Sequence, residues 1–295
     1  MFITFFVAVM SLKVNINDKE YSGDSYESIL AEYGEGLDTI TSINAIEGQF
    51  PLNTISPEYV NLATIDVPAE SFQGQINNAQ FKGMGSLINV VINGVQSVGT
   101  NSFESCSNLK FVELKNCISV GDSSFKDCVS LETIDMPKLQ KIGKYGFQNT
   151  GLIEVELNSA NDFPDSYHNA HQFAKCSKLT KITLKMATRI SSNCFLECAQ
   201  LSYVDAPLVT AIDYYSFSGC NSFYNLTFPS VTWIGEGAFK DNSLITEVKL
   251  DSLNSIEGSS FEGCTNLKNA ELLNIVSIGD SSFKDCVSLE TIDMP

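Results

Sequence analysis

The chain has 295 residues, 43% of them hydrophobic, with 35 acidic residues against 18 basic ones and a formal charge of −17. That field repels phosphate backbones and anionic bilayers, so nucleic acid and membrane surfaces are excluded as partners, while a basic protein or a divalent cation is favoured. No run reaches the roughly 18–20 apolar residues that a membrane-spanning helix needs.

The first ten residues, MFITFFVAVM, admit two readings. One is a short signal-peptide core, against which stands the lack of any basic residue before Lys13. The other is a strand that continues through Leu12, Val14 and Ile16 and turns at Asn17-Asp18, because the alternation has the period of two that strands show. A polar turn follows at residues 18–24, then a short helix near residues 25–33. Residues 1–61 carry no clean repeat and are expected to cap the end of an array.

From Leu62 a period appears. Repeats open at Leu62, Leu87, Leu109, Leu131, Leu152, Leu179, Leu201, Phe223, Ile245, Leu267 and Leu289, with a usual step of 22 residues. The step from Leu62 is longer, that from Leu131 is one shorter, and that from Leu152 carries an insertion. One block, residues 121–137, returns letter for letter at residues 279–295. Counting the opening residue as zero, +3 and +5 are apolar, as in Val112 and Leu114 or Ile182 and Leu184. In a strand these two positions share one face and +2 and +4 share the other. Successive repeats run in the same sense, so the strands are parallel. An apolar-Gly pair at +11 and +12 reads as a turn or short second strand, with glycine expected to supply an unusual backbone angle. Position +16 is a spine of rings: Phe103, Phe125, Phe147, Phe195, Phe217, Phe239, Phe261 and Phe283, joined by Phe173 once the insertion is allowed for. Burying each contributes about 1.5–3 kcal/mol. No single repeat can bury its ring alone, so stacking is obligatory.

The unit L-x-x-I-x-L-P … I-G … F-x-x-C resembles the BspA-like leucine-rich repeat, found in surface proteins of bacteria and parasitic protists. The resemblance covers about residues 62–295. It implies a β-rich α/β solenoid, a right-handed leucine-rich-repeat array with a parallel concave sheet. It also implies a role in attachment to host or matrix protein, hence a cell-surface or secreted location. The alternative is a cytoplasmic scaffold or regulatory interaction protein of the same fold.

Seven of the nine cysteines fall at +19, where Thr150 and Asn242 fill the gaps; Cys117 and Cys194 stand outside this column. An odd count and the absence of C-x-x-C spacing argue against a disulfide framework and a zinc site, and for buried free thiols that bond a turn. The insertion holds both histidines, His168 and His171, with Asp162 and Asp165. His-x-x-His without a third ligand reads as a surface loop rather than a metal site. Gly34-Glu-Gly36, Gly83-Met-Gly85 and Gly235-Glu-Gly237 lack the third glycine of a dinucleotide loop. No nucleophile elbow, metalloprotease motif or P-loop occurs, so neither an enzyme nor a cofactor is expected.

The outward strand face is the candidate site. Six of the ten +4 residues from Val91 to Asp293 are acidic, among them Glu113, Asp135, Glu156 and Asp205. Position +2 adds Phe111, Glu154, Tyr203 and Glu247, and Tyr224 sits at +1. Carboxylates on adjacent strands repel by only about 1 kcal/mol in water, so a solvated face is also consistent with this pattern. Asn225-Leu-Thr227 is a glycosylation sequon on the same face. Pro295 follows directly on a strand, which predicts an open end, either continued by further repeats or associating end to end with another chain.

Overall fold

A computed structural model describes residues 12–68, 71–161, 163 and 169–294. The expected strand over residues 2–10 lies outside these, as do Asp162, Asp165 and His168.

The first strand, β1 (Leu12–Ile16), buries Leu12, Val14 and Ile16. Asn17 and Asp18 take φ of 49° and 63°, the left-handed pair that a two-residue hairpin turn demands, and lead into β2 (Lys19–Gly23). Helix α1 (Tyr26–Tyr33) starts where Ser25 and Ser28 cap each other reciprocally and stops at Gly34, with φ of 74°. The turn at Asn17-Asp18 and the helix fall where the sequence put them, but the polar stretch expected to be a turn is itself a strand, Lys19–Gly23. β1 pairs antiparallel with β2 on one side and with β3 (Ser42–Glu47) on the other. β3 pairs parallel with β4 (Thr64–Val67), Ile43 opposite Ile65. The antiparallel hairpin thus hands over to a parallel ladder.

From there the chain winds as a parallel solenoid with three hydrogen-bonded sides. The first side carries the predicted strands, with +3 residues in register: Ile65, Val90, Val112 and Ile134 pair in sequence, and Val155, Ile182 and Val204 do so further on. The second carries short strands at the apolar-Gly column, such as Ser119–Val120 beside Lys141–Ile142. The third is not strand. There, +14 and +18 residues take positive φ, for example Asn101 at 57° and Ser105 at 62°. Alternate N–H groups donate to the next repeat: Asn101 to the Asp122 carbonyl at 2.9 Å, Phe103 to Ser124 at 2.7 Å, and Ser105 to Lys126 at 2.8 Å. Asn and Asp recur at these positions, being enriched in the left-handed region among non-glycine residues, although Ser, Tyr, Lys and Glu are also found there.

The glycine column has a different cause from the one expected. Gly99, Gly121, Gly143, Gly235 and Gly279 do not have positive φ. A Cβ on Gly143 would lie 2.6 Å from the Asp122 amide nitrogen, and one on Gly279 would lie 2.4 Å from that of Gly258. Glycine is needed because neighbouring backbones touch, not because the chain turns.

The spine is as predicted, with one addition. Phe81 stacks on Phe103, and the rings then continue through Phe283 with centroids 4.9–5.5 Å apart and planes within 20°. The extra residues of the first step precede the ring, which hid Phe81 from the +16 count. All nine cysteines are free and buried. Each +19 thiol donates to the carbonyl of the preceding spine phenylalanine, as in Cys128 to Phe103 at 3.0 Å and Cys220 to Phe195 at 3.0 Å. Asn242 makes the same bond to Phe217 at 2.8 Å, so the replacement preserves the donor. Burial pushes the thiols of Cys106 and Cys264 up to about 12.

Two outcomes follow. Phe195→Ala, at a ring stacked on both sides, should cost about 3–5 kcal/mol in chemical denaturation, and Phe283→Ala at a half-buried ring should cost less. In denatured, unreduced protein all nine thiols should react with a thiol reagent, whereas fewer than seven would mean that disulfides exist.

Candidate functional site

The eight residues singled out on the outward face fall into three groups. Phe111, Glu113 and Asp135 share the sheet that runs on from β4, with Thr133 opposite Phe111 and Asp135 opposite Glu113. Glu154, Glu156, Tyr203 and Asp205 share a three-stranded sheet, in which Lys181 separates Glu154 from Tyr203. Tyr224 lies in neither. It belongs to the repeat opening at Phe223, whose outward segment forms no strand and only a single bridge, Asn225 to Glu247.

That break has a local cause. In the repeats on either side +5 is Ala206 and Leu250, but here position 0 is Phe223 and +5 is Phe228. Phe223 packs edge-on against the spine ring Phe217 at 5.6 Å, and Phe228 packs between Phe217 and Phe239 at 5.6 and 6.2 Å. Two rings in places shaped for smaller side chains hold the segment off its neighbour. The ladder bonds Ser202 N–H to Thr180 and Thr246 N–H to Tyr224 remain, and the step from Ser202 to Tyr224 is skipped. A cavity of about 230 Å³ opens at the break, with Tyr203 and Tyr224 at its rim, 46% and 61% exposed. A second hollow, bordered by Thr227, Phe228 and Lys249, lies on the other side of the same segment.

The acidic row carries its own counter-ions, which the +4 pattern did not show. Lys115 lies 3.5 Å from Glu113 and 3.6 Å from Asp135, and Asn93 donates to Glu113 at 2.8 Å. Lys185 pairs with Asp205, and Lys249 with Glu271 at 2.8 Å. The signal was present at +6, in Lys115 and Lys185. The lysines of these pairs are about half exposed and the Glu113, Asp205 and Glu271 carboxylates less so; pairs at the surface contribute about 0–1 kcal/mol. Glu154 is fully on the surface, and Glu156 accepts only a local bond from Asn158 at 2.8 Å among those described. Asp66, one sheet position before Val91, extends the row; burial, and then the Glu113 charge, push its carboxyl above the usual range.

The second sheet holds a separate cluster. The Arg189 Nε donates to the buried Asp213 at 2.6 Å, its guanidinium lies 5.9 Å from the Trp233 ring, and Tyr214 meets that ring edge-on. In the insertion, His171 stacks on Tyr145 at 5.1 Å, and burial followed by Lys175 lowers its pKa. Among the described residues no group of three or more His, Cys, Asp or Glu side chains is placed to hold a metal ion. Among them, too, no helix is long and apolar enough to cross a membrane.

A parallel sheet on one side, a regular phenylalanine spine and a polar bond to each turn define a leucine-rich-repeat protein. The family model for the BspA type leucine rich repeat region matches residues 74–202 and 188–295 in six copies, and the chain belongs to that family. A leucine-rich repeat protein from Bacteroides ovatus is 20% identical, with a TM-score of 0.54 over 84% of this chain and 77% of its own. The pneumococcal vaccine antigen PcpA is 17% identical, with a TM-score of 0.49 over 79% of this chain and 68% of its own. A leucine rich cell surface protein from Faecalibacterium prausnitzii is 18% identical, with a TM-score of 0.37 over 75% and 83%. These likenesses concern the fold. No curated protein sequence matches the chain significantly.

The raised Asp66 carboxyl gives a pH prediction. A carboxyl whose folded pKa lies above its unfolded one is a liability at neutral pH that disappears as pH falls below both values. Asp66→Asn should therefore raise the melting temperature near neutral pH. The advantage should shrink as pH falls through the folded pKa and be gone below about pH 4, near the unfolded pKa of an aspartate.

Proposed function

We propose that this chain is a non-catalytic protein-binding module that docks a basic protein segment on its outward, concave sheet face. The observation that carries the reading is the ladder that aligns Asp66, Val91, Glu113 and Asp135, with Glu156 at the same repeat position in the next sheet and exposed Tyr203 and Tyr224 further along. Carboxylates in a row raise the local concentration of a cationic partner and orient it. Exposed aromatic side chains then supply contact area at low entropic cost. Membership of the BspA-type family supports display at a cell surface and a role in adhesion. The nine unpaired thiols favour a second reading, an intracellular scaffold of the same fold, because exported proteins meet oxidising conditions.

The face is tested with decalysine as probe, titrated at low and high salt. The combined variant Glu113→Gln, Asp135→Gln, Glu156→Gln should bind it several-fold more weakly and with a flatter salt dependence. Binding that is unchanged in both respects would sink the proposal.

A further inference from the structure

The break at the repeat opening at Phe223 interrupts the outward sheet between the strands at Tyr203–Asp205 and Glu247–Lys249. The cavity there is lined by Tyr203, Val204, Phe223, Tyr224, Asn225 and Phe228 among others, and none of its lining residues carries a formal charge. Its floor is carbon. Val204, Phe223 and Phe228 are buried. Its rim is amphipathic, with two tyrosine rings, the Asn225 amide and the hydroxyls of Ser202 and Thr227. At the skipped ladder step the Tyr224 N–H and the Ser202 carbonyl are not bonded to each other.

At about 230 Å³ the cavity is smaller than the roughly 300–1,000 Å³ that drug-sized ligands and cofactors occupy. It suits a single side chain. A carbon floor beneath a polar rim suits a ring with a polar tip. Charge selects what surrounds that ring. From Glu156 to the Phe223 repeat is three strand steps, about 14 Å at the usual spacing. A segment lying across the sheet therefore meets the carboxylates first and the uncharged cavity next.

From this we infer that the break is a socket for an aromatic side chain, of the phenol type, carried by the docked segment beyond its basic residues. The inference rests on the proposed function, since it assigns part of the same face. It makes the partner bipartite: cationic residues for the Glu113–Glu156 row and one ring for the socket.

The test uses p-cresol, an uncharged mimic of the side chain, so its result is independent of decalysine binding. Saturation-transfer NMR on the wild-type protein should show saturable binding in the millimolar range expected of so small a ligand. Tyr224→Ala, at a side chain exposed enough to be removed without unfolding, should weaken it by at least about fivefold. Thr227→Tyr, which fills the socket, should do the same. Met186→Ala, at an exposed site in another repeat, should change nothing. Absence of p-cresol binding, or equal binding in all variants, overturns the inference. So does competition in which methyl glycosides saturate the socket and p-cresol does not, since that would make it a saccharide site. If p-cresol behaves as expected while the glutamine variant binds decalysine normally, the socket stands and the acidic-row reading falls.

Discussion

The structure depends on how each spine phenylalanine is held. Its N–H donates to the next repeat, and its carbonyl accepts from its own turn and, in most repeats, from the next repeat's +19 side chain, as at Phe103 with Ser124, Cys106 and Cys128. At the Thr150 repeat the hydroxyl bonds its own Phe147 carbonyl instead, so the second bond is an addition, worth about 0.5–1.5 kcal/mol, that needs a small donor at +19. Cysteine and asparagine both meet that condition at this chain's +19 positions. The ring above the carbonyl then has no choice of height. Its neighbours lie 4.9–5.5 Å away, close to the spacing of about 4.8 Å that paired strands impose. Spine, strands and turns share one rise, so a change on one side of the solenoid is felt on all three.

This shared rise explains why the fold was legible and where legibility stopped. A column that repeats every 22 residues can be read without coordinates, and the strands, the ring spine and the free thiols were found that way. The glycine column was located but misexplained. A sequence shows where side chains are absent, not whether the absence serves a backbone angle or a neighbouring backbone, and Gly143 against Asp122 is the second case. Phe81 escaped because three extra residues in its repeat broke the count, although Met84 in the cysteine position and the left-handed Gly83 keep its turn intact.

The site was legible as a face and not as a surface with relief. Alternation alone put Glu113, Asp135, Glu154, Glu156, Tyr203 and Asp205 outward, and the register aligned them within each of two sheets. The neutralising lysines required knowing that a +6 side chain folds back over its neighbour's +4 carboxylate, as Lys115 does. The loss of a strand at Tyr224 required knowing how two phenylalanines compete for the space beside Phe217. Hydrophobic pattern treats Phe and Leu as alike at positions 0 and +5. Volume does not, and here the difference makes an interruption flanked by the exposed Tyr203 and Tyr224.

The duplicated block shows why recognition must be written outside the columns. Residues 121–137 and 279–295 are identical, yet Ile134 is partly buried in its ladder while Ile292 is 38% exposed. The same residues differ because one copy is covered by the Leu152 repeat and the other has no described repeat above it. In a stack of this kind each unit's stability is set largely by its neighbours. Column residues are therefore committed to stacking wherever they occur and carry no information about a partner. Glu132, Thr133 and Asp135 point out, but their copies Glu290, Thr291 and Asp293 repeat the same message in a different place. What distinguishes one stretch of the face from another is the unrepeated residues, among them Tyr203, Tyr224 and Phe228. There the array gives up a regular strand to gain a hollow, a local cost that the stacked spine beneath it is built to bear.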